Sequence, residues 1–472
     1  MKKILPLIII IILSSCSGVK NLTKPDIQLP LTLGGQEQMD SLTIADLGWW
    51  EFYGDEYLRD IIEKVLSENK QLHIAAERIE QAQYLYKVER SKLLPELSFT
   101  LPWNHETNSY YKELDLIDPE IGVKANISWE VDLFGALQWN KKKAMAQYEA
   151  TLEDERAMRM SLVAQTASAY FRLVALDNEL EIVRSSMETR EEGVRLAKLR
   201  FDGGLTSETV YQQALVQYAT AAAMVPNLEY NIKVAENQLL LLMGSLPDEK
   251  VERSSSLKDN TLNDRIPLGL PSQLLDRRPD IRSMENKLRV AVANVGYTYA
   301  KRFPSLNISL IGGVEDNDFK NLFRSPFSYV AENFVAPLVD FGKRKNTYKA
   351  AISAYNQARL SYEEKVLQAF GEVDNALTRY QTARLAVTRD SELLEAAFKY
   401  QDLTWKQYRG GTINYIDVLD AQRRYLEARI ARMNAIRDEH LALVQLYKAL
   451  GGGWSLYDKN KETINEDKEA LD

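Results

Sequence analysis

From Val123 to Val131 the chain alternates cleanly. Val123, Ala125, Ile127, Trp129 and Val131 are apolar, and Lys124, Asn126, Ser128 and Glu130 between them are polar. A period of two places the apolar set on one side of a β-strand and the polar set on the other. "ELSFTLPW" precedes this run, with the polar "NHETNSYYKELDLIDPE" between them, so the region predicts a hairpin with a long tip. "SLNISLIGGV" and "FSYVAENFVAPLVDFG" predict a second hairpin with less regular alternation.

Elsewhere the period is helical. "EYLRDIIEKVLSENKQLHIAAERIEQAQYLYKVERSKLL" predicts a helix running up to Pro95. There is no proline between Pro119 and Pro226 and none after Pro337. Residues 137–201 therefore predict a single helix on the order of 95 Å long at 1.5 Å per residue. Val366, Phe370, Val373, Leu377 and Tyr380 step by four and three, and Leu419, Leu426, Met433, His440 and Tyr447 recur every seven residues. Such heptads predict coiled-coil contacts along the helices. Pro226 is expected to bend its helix. "RRPDI" reads as a helix start, with Pro279 early, Asp280 near the positive end of the dipole, and two arginines available to hold the inter-repeat segment. The glycines at 451–453 read as a helix stop, and Trp49 and Trp50 as residues that either anchor at an interface or, the preferred reading, pack against helices.

The chain is a tandem duplication. Gly135 and Gly342, Gly203 and Gly410, Gly204 and Gly411, and Gly244 and Gly451 are each 207 residues apart. Upstream the separation is 209, for Lys92 and Lys301, Pro95 and Pro304, and Leu97 and Leu306. Each copy reads helix, hairpin, very long helix, glycine turn, helix. Copy one spans 54–244, with its hairpin at about 97–131 and its long helical hairpin at about 137–244. Copy two spans 273–453, with the same parts at about 305–339 and 343–451. Residues 245–272 join the copies, and 454–472 form a last segment and a charged tail.

The first residues belong to a different kind of signal. Lys2 and Lys3, the apolar run Ile4–Leu13 and "LSSC" read as a secretory signal over 1–15. Cys16 is the only cysteine, so it makes no disulfide within the chain. "LSSC" resembles the bacterial lipobox, which implies a diacylglyceryl and N-acyl lipid on Cys16 followed by a linker over 16–53. Ser17, where inner-membrane lipoproteins typically carry aspartate, points by the same resemblance to the outer membrane. No later stretch reaches the roughly 20 apolar residues of a transmembrane helix. A net charge of −8 gives no sign of nucleic acid. His73, His105 and His440 lie far apart, and no metal-ligand spacing, phosphate loop or nucleophile motif appears, so neither an enzyme nor a resident cofactor is expected.

Four strands per chain cannot close a barrel, since small barrels start at about eight. If their apolar faces meet lipid, several chains must share one barrel, and two, three or four all satisfy the arithmetic. At this point a family resemblance enters, carried by "GWWEFYGDEYLRDIIEKVLSENKQL", "LPSQLLDRRPDIRSMENKLRVAVANVGYTYAKRFPSL" and "YRGGTINYIDVLDAQR". The chain resembles the TolC/OprM-like outer-membrane channel lipoproteins of tripartite efflux pumps. The resemblance implies a mixed α+β membrane protein. It would form a homotrimer with a 12-stranded β-barrel in the outer membrane, continued by a periplasmic α-helical barrel. It also implies a periplasmic adaptor (membrane fusion protein) and an inner-membrane resistance–nodulation–division transporter as partners. The outer-membrane component of a type I secretion system is the nearest alternative, and a periplasmic adaptor or structural coiled-coil lipoprotein a more distant one.

The glycine turns then become periplasmic tips, formed by Gly203 and Gly204 in copy one and Gly410, Gly411 and Thr412 in copy two, where an adaptor would make contact. By resemblance Ile416, Asp417, Asp420 and Arg423 form the periplasmic gate. Asp417 and Asp420 stand three residues apart near a helix start, and around a threefold axis each would become a ring of carboxylates that raise one another's pKa. The copy-one equivalents are Thr209, Val210, Gln213 and Val216, so the turn itself needs no acid. The plainer reading is helix capping with an i,i+3 ion pair between Asp420 and Arg423, and a partner for Arg423 on a neighbouring chain is the other option.

Overall fold

The structure, a computed structural model, describes residues 22, 24–25, 27–29, 43–103, 121–257, 267–316, 319–336 and 339–454. The signal sequence, Cys16, the first hairpin's tip at 104–120, residues 258–266 and the tail from 455 lie outside the described residues. In chain order the helices are α1 (Trp49–Phe52), α2 (Glu56–Glu68), α3 (Lys70–Ser91), α4 (Ala136–Asp202), α5 (Glu208–Ala222), α6 (Met224–Leu242), α7 (Pro271–Arg277), α8 (Pro279–Ala300), α9 (Lys343–Arg409) and α10 (Tyr415–Ala449). The strands are β1 (Glu96–Thr100), β2 (Ile121–Val131), β3 (Ser305–Asp316) and β4 (Pro326–Val335).

Element bounds carry the duplication. α4 and α9 are 67 residues each, and their first and last residues are 207 apart. α5 and α10 begin at the same offset. The chain divides into two compact units, one built from Ala76–Asp154 and Ile281–Lys365, the other from Gln28–Ala75, Glu155–Asp280 and the chain from Val366 onward. Each draws on both copies, so the copies read from the sequence are not the spatial units.

The helix expected to run up to Pro95 is two helices. Asn69, at φ −65° and ψ 122°, leaves helical geometry between α2 and α3. Its side-chain oxygen accepts from the backbone N–H groups of Gln71 (3.0 Å) and Leu72 (3.2 Å), and its amide nitrogen donates to the Leu242 carbonyl (2.8 Å). A short amide that satisfies the first donors of the next helix competes successfully with helix continuation. In copy two the same break falls at Arg278, 209 residues later, and is made by Pro279 at the first position of α8, which drives its predecessor out of the helical region. Pro226 is the third residue of α6, three after the break at Ala223, so the donor it lacks is one that a first helical turn leaves unpaired.

Of the arginines of "RRPDI", Arg277 lies against the inter-repeat segment, where a Cβ on Gly269 would stand 3.2 Å from its Nη1. Arg277 pairs with Asp46 (2.6 Å), and its carbonyl accepts from Trp454 Nε1 (2.9 Å). Arg278 is buried, with Asp280 at 2.7 Å and Glu372 at 2.6 Å, and donates to the Ala449 carbonyl at the end of α10 (3.2 Å). A buried guanidinium needs several acceptors, and a helix C-terminus together with two carboxylates supplies them.

In the first unit β1, β2, β3 and β4 form one antiparallel sheet in that order, joining the two expected hairpins through β2 and β3. The register aligns Leu97, Ile127, Leu310 and Val330 across all four strands on one face. Ser128, Ser309 and Asn307 share the other, where Ser128 Oγ lies 3.0 Å from Asn307 Oδ1. Lys124 on that polar face pairs with Glu315 at 2.6 Å. β1 and β4 are the edges.

The second unit is helical. On α9, Val366, Val373 and Tyr380 alternate with Ala369, Ala376 and Ala383, all buried, which is a heptad seam. On α10, Leu419, Leu426, Met433 and Tyr447 are buried, and the His440 ring stacks on Phe171 at 4.7 Å. The N-terminal part is tied in by polar contacts. Asp55 accepts from the hydroxyls of Tyr170 and Ser254 (both 2.8 Å), and the Tyr447 hydroxyl donates to the Leu47 carbonyl (2.6 Å). Trp49 is buried in this unit, and Gly451 at φ +87° ends α10. Among the described residues no helix is long and apolar enough to cross a membrane.

Asn69→Ala removes both the cap and the donor to Leu242. The expected loss is roughly 1–2 kcal/mol of stability, seen as a lower thermal midpoint by circular dichroism with the starting helical signal unchanged.

Candidate functional site at the glycine turns

Each very long helix ends in a left-handed glycine. After α4, Gly204 sits at φ +69°, and the Leu205 N–H donates back to the Arg200 carbonyl (2.8 Å). After α9, Gly411 sits at φ +74°, and Thr412 donates to the Gln407 carbonyl from both its N–H (3.1 Å) and its hydroxyl (3.0 Å). In each pair it is the second glycine that needs the positive φ, while Gly203 and Gly410 close the helix by bonding to the Leu199 and Lys406 carbonyls.

The chain then turns into α5 and α10, whose first turns pack together. Tyr415, Val418 and Leu419 bury against Ala197 and Ala214, with Val210, Tyr211 and Trp405 around them. Gly193 in α4 makes room for the Tyr415 ring, since a Cβ there would stand 2.7 Å from the hydroxyl. Burial, with Tyr408 adding to it, pushes the Tyr415 hydroxyl up to about 12. Arg190 of α4 is also buried and donates to the Gln217 carbonyl of α5 (2.6 Å). Burial lowers its pKa, and Glu427 partly offsets that.

On this rigid base the four expected gate residues separate into two roles. Ile416, Asp420 and Arg423 line an open groove of about 410 Å³ together with Leu419 and with Thr209, Gln213 and Val216 of α5. The last three are the copy-one equivalents of Ile416, Asp420 and Arg423, so the groove sets each copy's version against the other. Ile416 is 55% exposed. Asp417 is not among the lining residues. Its carboxylate accepts from the Asn414 backbone N–H (3.2 Å), which is a capping contact.

Asp420 is paired twice within its own helix, to Arg423 and to Arg424, both at 2.7 Å. Arg423 also reaches Glu427 at 3.0 Å. Both of these Arg423 contacts lie within its own helix. Within the chain Arg424 and then Arg423 hold the Asp420 carboxyl below the usual aspartate range. Sequence reading missed Arg424, Glu427, Gly193 and Arg190. The first two stand four residues from Asp420 and Arg423, a spacing visible in the sequence. The last two announce themselves only through contacts between helices.

An antiparallel four-stranded sheet in one unit, and very long helices closed by glycine turns in the other, fit the outer-membrane efflux class. Residues 61–245 and 270–452 match the family described as "Outer membrane efflux protein", and the chain belongs to that family. It is 30% identical over 474 aligned residues to the solvent efflux pump outer membrane protein SrpC of Pseudomonas putida, covering 96% of this chain and 99% of that one. It is 28% identical to the outer membrane protein OprJ of Pseudomonas aeruginosa, covering 95% of each. Among solved structures, the open state of the MtrE outer membrane channel of Neisseria gonorrhoeae matches with a TM-score of 0.76 at 26% identity, covering 92% of this chain and 98% of that one. The protein is an outer-membrane channel component of an efflux pump.

Gly411→Ala forces a Cβ into a left-handed position with no neighbour within 4 Å, so its whole cost is backbone strain. A destabilisation of about 1 kcal/mol is expected, read as faster hydrogen exchange around residues 408–415. Gly410→Ala is expected to leave that exchange nearly unchanged.

Proposed function

We propose that three chains close one barrel of 12 strands in the outer membrane and continue it as a periplasmic tunnel, which serves as the exit duct of a tripartite pump. The observation that carries this reading is the sheet itself. One face is apolar across β1, β2 and β3 and is interrupted on β4 by Ser328 and Glu332, and β1 and β4 are open edges among the described residues, in a family of outer-membrane efflux proteins. Lipid satisfies no backbone hydrogen bond, so the edges must be paired by other copies. A periplasmic adaptor and an inner-membrane resistance–nodulation–division transporter deliver the cargo, and the adaptor meets the glycine turns. A lipid on Cys16 anchors the N-terminus, a point that palmitate labelling of the Cys16→Ser variant tests. Relatives are named for toluene, pyoverdine and cation export. That range suits a passive duct whose cargo is chosen by its pump, and it favours efflux over type I secretion.

The tip is the gate. Ile416, Asp420 and Arg423 narrow the entrance, and Asp417 fixes the start of the helix that carries them. The ion pairs of Asp420 with Arg423 and Arg424 stiffen this helix in a resting state. The solved MtrE channel is an open state, which supports a class with more than one state.

Single-channel conductance in planar bilayers tests the reading. Wild type is expected to give small, cation-selective steps, and Asp417→Ala/Asp420→Ala larger or less selective ones. Identical steps in both would reduce the aspartates to capping. The pH dependence has a definite sign. Because the folded pKa of Asp420 is depressed, its ion pairs are fully present above the unfolded value of about 3.9 and are lost only as pH falls through the lower folded value. Conductance between pH 7 and 5 is therefore expected to carry no contribution from Asp420 titration. A change in that window that vanishes in Asp420→Asn would contradict the assignment.

A further inference from the structure

Each chain contains one seam between its two copies, where β2 of copy one pairs with β3 of copy two. We propose that β4 of one chain pairs with β1 of the next by repeating that seam, with Phe334 opposite Leu101 and Phe341 packed on Leu94. The inference rests on the shared-barrel reading and adds to it a register and a latch.

The register follows from the offsets. β4 is the copy-two equivalent of β2, 207 residues on, and β1 is the copy-one equivalent of β3, 209 residues back. The pair Ile127↔Leu310 becomes Phe334↔Leu101, Trp129↔Ile308 becomes Ala336↔Phe99, and Ala125↔Gly312 becomes Glu332↔Trp103. The faces agree. Phe334 lies on the apolar face, opposite Leu306 in its own chain, and Leu101 continues the row of Leu97 and Phe99 on that same face. A slip by one residue would put each opposite a side chain of the other face. Phe99, Leu101, Trp103 and Phe334 are all exposed on the single chain.

The latch lies where the strands give way to helices. Phe134, just after β2, stacks on Phe303, just before β3, with ring centroids 4.8 Å apart. Their equivalents are Phe341 and Leu94, which are 98% and 66% exposed. Phe341 is also the one non-glycine residue at positive φ (50°) among the described residues. Asp340 stands one residue closer to its helix than Asp132 does, and its carboxylate accepts from the N–H groups of Gly342 (3.0 Å) and Arg344 (3.2 Å). The chain bends at Phe341 to make that cap. A bulky residue in a left-handed conformation with its ring in solvent is unfavourable in a lone chain. Burial on Leu94 of the next chain gives the ring the surroundings that its counterpart has.

Cysteine pairs in the full-length protein test the register, since the native sequence has Cys16 alone. Directly opposed residues on antiparallel strands stand within disulfide reach. Leu101→Cys/Phe334→Cys, oxidised in membranes, is expected to give a non-reducing gel ladder ending at three chains, while either single variant does not. If the slipped pair Phe99→Cys/Phe334→Cys cross-links more fully, the register is overturned and the shared barrel stands. If no pair cross-links and unheated protein runs as one chain, the shared barrel fails and the seam with it. Phe341→Gly relieves the backbone strain while removing the ring, so it separates the two effects. The temperature at which the detergent-resistant assembly dissociates is expected to fall, and likewise for Leu94→Ala. An unchanged or higher temperature in both variants overturns the latch.

Discussion

Hydrocarbon offers no hydrogen bonds, and the outer edges of β1 and β4 carry backbone donors and acceptors with no partner strand among the described residues. Everything else in the molecule is arranged around that constraint. Four strands, three of them with a continuous apolar face, are a fragment of a barrel, and the fragment becomes a membrane protein only when copies of it close on one another. The same chain continues from its last strand of each hairpin into an unbroken 67-residue helix, so each barrel hairpin is followed directly by a long helix. The pairing of β2 with β3 shows what a closed seam looks like within one chain.

Duplication then lets the two copies share a framework while differing in chemistry. The bend after α2 is made by an asparagine side chain, and the bend after α7 by a proline. The turns after α4 and α9 use the same left-handed glycine, yet Gln213 and Val216 follow one turn while Asp420 and Arg423 follow the other. Because α5 and α10 pack side by side, the neutral and charged versions line opposite sides of one groove. Charge is thereby added at one tip without altering the buried contacts of Tyr415, Val418 and Leu419 beneath it.

What was legible in the sequence was what periodicity encodes. Alternation from Val123 to Val131 gave the strand and its apolar face, and the absence of proline between Pro119 and Pro226 gave the length of α4. The tip glycines were legible because a reversal after a helix demands a left-handed residue. What was hidden depends on contacts across the fold. Asn69 looks like any polar helix residue until Leu242 offers it an acceptor. Arg278 finds Glu372 and Ala449 from distant parts of the chain, so its partners could not be read from its neighbours. Asp417 and Asp420 looked alike in the sequence, and the structure separates them. One caps its own helix, and the other is held by two arginines over a groove.

Closure by several copies is the central claim, and the mass of the intact assembly tests it most directly. The full-length protein, extracted from outer membranes in mild detergent and weighed by native mass spectrometry, is expected to give a single species of three chains. A species of one chain, with its sheet edges unpaired, would contradict the account.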